Sequence, residues 1–183
     1  MQSAYIRLPD PTGIVRTRKG KTAKRLDSLD GKVMGVIDDA MVNAHVLLDA
    51  LAAEIEKNYT IKERVSIIKE NWSASLPREV YDDMRKRVDF VIVGVGVCGG
   101  CTAGSVEDGV QFELDGIPSV TVVEDLFQPL ASAKKELMGL SEYEPIIIAY
   151  PMGNDEQAAA KGRAIMAQAV SVLTGRVQAV AAA

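Results

Sequence analysis

Short runs rich in valine and isoleucine recur along this chain, and each is followed by a segment with helical character. The strand candidates are residues 32–38 (KVMGVID), 64–70 (RVSIIKE), 89–95 (DFVIVGV), 118–124 (PSVTVVE) and 145–150 (PIIIAY). Most of these runs are continuous rather than alternating, which is typical of strands buried on both faces of a parallel sheet. We therefore predict an α/β fold with a doubly wound, mostly parallel sheet of about five strands, Rossmann-like or flavodoxin-like.

Helices are predicted between and after these strands, at about residues 42–57, 73–87, 102–116, 129–140 and 155–174. In the second helix, Ser75 is a candidate N-cap and Pro77 lies near the first turn. The apolar stripe of the last helix extends to Val177.

The regular pattern of strands and helices begins at Gly31. Before it, residues 1–13 lack apolar periodicity and a stretch rich in lysine and arginine follows them. We predict an N-terminal basic arm over residues 1–30 and a single α/β domain over residues 31–183. The arm is either solvated or bound to a neighbouring subunit or an anionic ligand. With the alanine-rich C-terminus, it suggests a homo-oligomer or a complex with a partner subunit.

Charge and hydropathy exclude several classes of partner. The net charge of −4 argues against nucleic acid as the main partner. The longest apolar run, residues 91–97, is far too short to span a bilayer, so we expect no membrane partner. The sequence starts without an evident signal peptide, and it holds two cysteines. We therefore predict a cytoplasmic protein, in which paired cysteines are more often catalytic or metal-binding than structural.

The fold class indicates where a site should lie. Ligands of open parallel sheets bind outside the carboxyl ends of the strands, near the point where the strand order reverses. The polar and aromatic residues that follow the predicted strands are therefore candidates. For proton transfer and substrate orientation they are Asp39, Glu70, Asp125 and Tyr150, and for substrate contact Trp72 and Phe127. Each of them alone is as well explained as a cap or turn residue; Asp39, for example, could cap the first helix.

The third predicted strand leads into a glycine-rich turn that holds both cysteines, VGVGVCGGCTAGS at residues 93–105. The turn contains GxGxxG at residues 94–99, but a dinucleotide-binding turn usually follows the first strand rather than the third. It also contains CxxC at residues 98–101. Zinc takes four ligands, and the chain has one histidine, His45, so a zinc or cluster site would have to be shared between subunits. A third interpretation is a tight structural turn with two small buried cysteines.

A reactive thiol pair is the interpretation we favour. A CxxC that opens a helix lies near unpaired amides and the positive end of the helix dipole, which stabilise a thiolate. Gly99 and Gly100 leave the sulfurs open to a substrate, and Thr102 and Ser105 place hydroxyls beside them. We expect a thiol-dependent enzyme, or the catalytic subunit of one, that acts on a small molecule; the residues name no cofactor. The helix dipole alone would also allow Cys101, rather than Cys98, to be the more stabilised thiolate.

The sequence also resembles the UGSC family. The resemblance is carried by GVCGGCT at residues 96–102, GIPSVTV at 116–122, GVIDDAMVNAHVLLDAL at 35–51 and PIIIAYPMG at 145–153. The family name records a motif of selenocysteine or cysteine, glycine, serine and cysteine, and the layout is similar to that of the B-type subunits of glycine and proline reductases. The resemblance implies a nucleophilic or redox role for Cys98, with Cys101 as the resolving partner. Gly100 stands where the motif has serine.

Overall fold

The sheet is parallel and contains five strands. The computed structural model describes residues 20–176. Its strands are Val33–Asp38 (β1), Glu63–Ile68 (β2), Phe90–Gly96 (β3), Ser119–Glu124 (β4) and Ile146–Ile148 (β5). They pair in parallel in the order β2-β1-β3-β4-β5. The predicted doubly wound α/β fold is confirmed, and the strand order reverses between β1 and β3.

Six helices cover the described sheet. They are Ala44–Asn58 (α1), Arg78–Arg87 (α2), Gly99–Leu114 (α3), Gln128–Leu137 (α4), Asp155–Ala164 (α5) and Met166–Thr174 (α6). A short 3₁₀ turn, Asp125–Phe127, precedes α4.

Three helix boundaries differ from the sequence-based expectation. The predicted last helix is two helices, because α5 packs along α1 whereas α6 packs beneath β4, and the chain bends at Ile165 between them. The second helix begins after Pro77, not at Ser75. Its approach stays extended because Leu76 precedes a proline and donates its N–H to Asp108. The cysteine turn, finally, belongs to α3 itself, because Cys98 is its N-cap.

Apolar side chains fill both faces of the sheet. On one face, α1, α5 and α6 pack against the strands around Leu51 and Ile92. On the other, α2 and α3 pack around Val91, Val93 and Phe112, and a smaller cluster under α4 continues that layer. Successive residues of β3 thus enter opposite cores, as a strand buried on both faces requires.

Residues 20–30 lie across the helices rather than apart from them. Leu26 donates its N–H to the Leu173 carbonyl at 3.0 Å, and Gly20 donates to Gly139 at 2.9 Å. Arg25 forms a two-pronged ion pair with the buried Glu113, both N–O distances being 2.7 Å. Residues 1–19 and 177–183 lie outside the described part of the chain, so the arm, the alanine-rich C-terminus and the domain boundary stay predictions. Among the helices at residues 20–176, none is long and apolar enough to cross a membrane.

Candidate active site at the cysteine turn

Cys98 caps the helix that its own turn begins. Its backbone is extended, with φ −153° and ψ 170°, and its sulfur accepts the Cys101 backbone N–H at 3.1 Å. The sulfur therefore occupies the position of a capping oxygen, where an unpaired amide and the helix dipole favour a negative charge. Cys98 is partly exposed, whereas Cys101 is fully buried. The structure thus places Cys98 both at the stabilising end of the helix and within reach of solvent.

The two cysteines lie close enough to form a disulfide. Their Cα atoms are 5.4 Å apart and their sulfurs are in contact, so the backbone separation is one that a disulfide bridge can span. The Cys101 sulfur also lies 3.3 Å from the Cys98 carbonyl oxygen. The first turn of α3 therefore brings the pair together without help from another element.

The two glycines between the cysteines lie between the loop that follows β2, on the Gly100 side, and Leu130 of α4, on the Gly99 side. A Cβ on Gly100 would lie 2.9 Å from the Ser73 Cβ and 3.3 Å from the Trp72 ring. A Cβ on Gly99 would lie 3.9 Å from the nearest described side chain, that of Leu130. The loop after β2 thus approaches Gly100 so closely that a side chain would displace it. This close approach accounts for a glycine, rather than a residue with a side chain, at position 100.

Packing explains two glycines of GxGxxG. A Cβ on Gly96 would lie 2.7 Å from the Thr102 hydroxyl, and one on Gly94 would lie 3.2 Å from the Val122 carbonyl. Both glycines let β3 approach its neighbours closely. Thr102 is fully buried at this contact, and its hydroxyl has no hydrogen-bond partner among the described residues. The predicted contact between Thr102 and a substrate stays a prediction.

A buried polar cluster lies behind the cysteine turn, at the junction of β1, β2 and α3. Lys69 forms ion pairs with Asp39, at 2.8 Å, and with Asp108. The Ser105 hydroxyl contacts the Asp39 carboxyl and lies 2.8 Å from the Cys101 carbonyl oxygen. The side chains of Lys69, Asp39, Asp108 and Ser105 are all buried. The cluster therefore connects the carboxyl ends of two strands to the first turns of α3.

Burial controls ionisation in this cluster. It raises the pKa of Asp39, although the Lys69 ammonium and Ser105 oppose the change. It likewise raises the pKa of Asp108 to about 6, against the effect of Lys69. Burial opposes the charge of Lys69 too, but the two carboxyls outweigh it and raise the pKa of the amine. The cluster is thus a site where protons are bound more tightly than at the surface.

Sequence reasoning missed Lys69 and Asp108. It selected Glu70, the next residue after Lys69, whose side chain is exposed. The side chains of neighbouring residues in an extended segment point to opposite sides, so one of them had to face the core. The signal for Asp108 was its position three residues after Ser105 on α3, where a polar pair would share one helix face.

The remaining predicted residues lie along the same edge of the sheet. Asp125 is exposed and accepts the Tyr150 N–H at 3.1 Å, so these two residues are neighbours beyond β4 and β5. Tyr150 and Trp72 are about half exposed, and Phe127 packs against the cluster beneath α4. Glu124, which was not selected, is buried at the end of β4, and burial raises its pKa. The structure brings Trp72, Asp39 and Ser105 to the cysteine turn; the catalytic or binding roles of all these residues stay predictions.

Metal binding was the second interpretation of the CxxC. Within residues 20–176, no group of three or more histidine, cysteine, aspartate or glutamate side chains is arranged to hold a metal ion. His45 is exposed on α1. Among residues 20–176, the cysteine pair would therefore supply only two ligands to a metal ion.

Comparison with known proteins gives a single assignment. No curated protein and no solved structure matches the chain. The predicted similarity to the B-type subunits of glycine and proline reductases is therefore not confirmed. The model of the UGSC family, by contrast, matches residues 7–175, nearly the whole sequence. This chain belongs to the UGSC family.

Proposed function

We propose that this protein is a thiol-dependent enzyme, or the catalytic subunit of one, in which Cys98 attacks a small molecule and Cys101 resolves the adduct. One observation carries the proposal. The Cys98 sulfur is partly exposed and accepts the Cys101 N–H at the start of α3, while Cys101 is fully buried directly behind it. A nucleophile must reach its substrate, and a resolving thiol needs to reach only the first sulfur.

The helix dipole supports the same order of attack. As the N-cap, Cys98 receives both the dipole of α3 and a direct N–H donor, so its thiolate is the better stabilised of the two. Cys101 follows one helical turn later and makes its contacts with Cys98. An exposed, stabilised first thiolate and a buried second thiol are what a two-step thiol–disulfide exchange requires.

The chemistry balances as a two-electron reduction of a disulfide substrate. The Cys98 thiolate attacks one substrate sulfur, forms a mixed disulfide and expels the other sulfur as a thiolate with the bonding electron pair. The Cys101 thiolate then attacks the Cys98 sulfur, forms the Cys98–Cys101 disulfide and releases the second substrate thiolate. An external dithiol restores the pair and is itself oxidised to a disulfide.

Residues around the turn are proposed to bind and orient the substrate. Trp72 borders Gly100 and is about half exposed, so its ring is available to an apolar part of a ligand. Asp125 and Tyr150 lie together farther along the edge. We further propose that the protein acts in the cytoplasm as a homo-oligomer or with a partner subunit.

Trapping of the mixed disulfide tests the order of attack. With a small aromatic disulfide as probe, Cys101→Ser should retain one covalent adduct on Cys98, seen as added mass in the intact protein. Cys98→Ser should retain none under the same conditions. An adduct on Cys101 in the Cys98→Ser variant would reverse the roles. Equal turnover of the probe by wild type and both variants would end the thiol proposal.

A further inference from the structure

The cluster behind the cysteine turn holds two carboxyls, one amine and one hydroxyl, all buried. We propose that Asp39 is a neutral carboxylic acid at neutral pH and donates its proton to Ser105, which orients the first turn of α3 through the Cys101 carbonyl. Asp39 is then a positioning residue for the cysteine pair. The proton assignment stands on the contacts and charges of the cluster, whereas its effect on the thiols rests on the function proposed above.

The hydroxyl of Ser105 supplies the first argument. It lies between two oxygens, the Cys101 backbone carbonyl at 2.8 Å and an Asp39 carboxyl oxygen. A serine hydroxyl carries one proton and can donate it once. A backbone carbonyl can only accept, so Ser105 donates to Cys101. The contact with Asp39 then needs a proton on the carboxyl, which donates it to the serine oxygen.

Lys69 and Asp108 supply the second argument, because the contacts of both side chains fit their charged forms. The ammonium of Lys69 has three N–H donors. It donates to the Ala74 carbonyl at 3.2 Å and forms ion pairs with an Asp39 oxygen at 2.8 Å and with an Asp108 oxygen. The other Asp108 oxygen accepts the Leu76 N–H at 2.8 Å. One Asp108 oxygen therefore accepts a hydrogen bond and the other pairs with the ammonium, which is the arrangement of a carboxylate.

The net charge of the cluster supplies the third argument. With Asp39 neutral, the charges of Lys69 and Asp108 cancel. An ionised Asp39 would leave one uncompensated negative charge among side chains that are at most 3% exposed, and burial of such a charge is strongly unfavourable. The charged neighbour on β1 is Asp38, whose carboxyl would add further repulsion. Burial raises the pKa of Asp39, in the same direction.

The cysteine turn is where this proton matters. A neutral Asp39 fixes the direction of the Ser105 hydroxyl toward Cys101, the residue whose N–H caps the Cys98 sulfur. An ionised Asp39 would instead accept the hydrogen bond from Ser105 and release the Cys101 carbonyl. The protonated acid thus keeps α3 in the geometry in which its first turn stabilises Cys98.

Carbon-13 NMR of the aspartate carboxyls in the wild-type protein tests the proton assignment directly, with Asp39→Asn used to assign the signal. We expect the Asp39 carboxyl carbon at the protonated position at about pH 7 and the Asp108 carbon at the ionised position. An ionised Asp39, or a protonated Asp108, at that pH would overturn the proposal. The measurement needs no substrate.

Matched variants test the positioning role. The amide introduced by Asp39→Asn can donate to Ser105 and accept from Lys69 as the neutral acid does, whereas the methyl group of Asp39→Ala can do neither. Cys98 should therefore be alkylated faster in Asp39→Asn than in Asp39→Ala. Asp108→Asn should lower stability more than Asp39→Asn, because it removes the anion that Lys69 needs. The reverse order in either comparison would contradict the proposal. If no adduct can be trapped on Cys98 yet Asp39 is neutral, the proposed function fails and the proton assignment stands.

The pH dependence of unfolding gives a readout that packing alone would not change. A carboxyl whose pKa is raised on folding binds its proton more tightly in the folded state, so its contribution to stability falls as pH rises from the unfolded pKa to the folded pKa. Between about pH 6 and 8, the free energy of unfolding of the wild type should therefore fall as pH rises, with a slope that corresponds to up to about one bound proton. Asp39→Asn should remove this slope. Identical slopes in the two proteins would mean that Asp39 is already ionised there.

Discussion

The backbone N–H of Leu76 donates to the Asp108 side chain at 2.8 Å, and the same carboxylate pairs with Lys69. Asp108 thereby holds both ends of the loop that follows β2. Between those ends, Trp72 and Ser73 lie against Gly100 in the cysteine turn. The loop that borders the candidate site is thus fixed by the buried Asp108 side chain, about two turns further along α3 than Gly100.

Replacing Lys69 with methionine should destabilise the protein in a pH-dependent way. Without the ammonium, ionised Asp108 is a buried, unpaired charge, and we expect a loss of about 3–5 kcal/mol at about pH 8. The loss should shrink at about pH 5, because the pKa of Asp108, about 6 even beside Lys69, lets the carboxyl take up a proton. Urea unfolding at both pH values measures this difference.

Lys57→Met is the matched control for that experiment, because Lys57 is a mostly exposed lysine that pairs with Glu54. Its loss should stay within about 1 kcal/mol at either pH. Equal destabilisation by Lys69→Met at the two pH values would show that the lysine contributes packing and not charge.

Introducing a serine at position 100 should destabilise this chain. In Gly100→Ser the new Cβ would overlap Ser73, so we expect a loss of about 1–3 kcal/mol in the free energy of unfolding. Gly99→Ser is the control, since its Cβ would meet nothing closer than 3.9 Å. Adding Ser73→Gly to Gly100→Ser should recover most of the loss. A stable single variant would mean that the loop after β2 moves freely.

The two cysteines should differ sharply in reactivity once the pair is reduced. Cys98 should react with iodoacetamide faster than a free cysteine, because the cap position stabilises its thiolate, and Cys101 should be protected by burial. Peptide mapping by mass spectrometry after short exposures measures both rates. Denatured protein, in which the two should label alike, is the control. Faster labelling of Cys101 in the native protein would refute the assignment.

Glu113 should hold residues 20–30 to the domain. Its buried carboxylate pairs with Arg25 and accepts the backbone N–H groups of Ala23 and Ser119. Glu113→Gln should cost about 1–3 kcal/mol, because a buried donor loses its acceptor. It should also speed tryptic cleavage after Arg25. Glu107→Gln, at a more exposed pair on α3, should change neither measurement.

Much of the fold could be predicted because its determinants are local. Each valine- or isoleucine-rich run became a strand, and continuous apolar sequence followed from burial on both faces. The strand order is not local, so the pairing of β1 with β3 had to come from the structure. The break at Ile165 was also out of reach, because the apolar stripe continues across it and only the different partners of α5 and α6 separate the two helices.

The candidate site was predictable where its reactive residues are close together in the sequence. Two cysteines at the end of a strand were sufficient to find the turn. The buried cluster was not found as a unit, because its members come from three elements and their proximity depends on packing. The choice of Glu70 over Lys69 depended on which of two successive residues faces inward, and that is set by where the chain leaves the sheet.

The position of Cys98 as the N-cap has a consequence for any reaction at its sulfur. The atom that would bond to a substrate is the atom that anchors the start of α3, so chemistry and secondary structure share one sulfur. When the sulfur is alkylated or bridged, it loses the negative charge that makes it a good acceptor for the Cys101 amide. The strength of the hydrogen bond at the first turn of α3 would then change with the oxidation state of the cysteine pair. The NMR chemical shift of the Cys101 amide should therefore report the oxidation state of the pair.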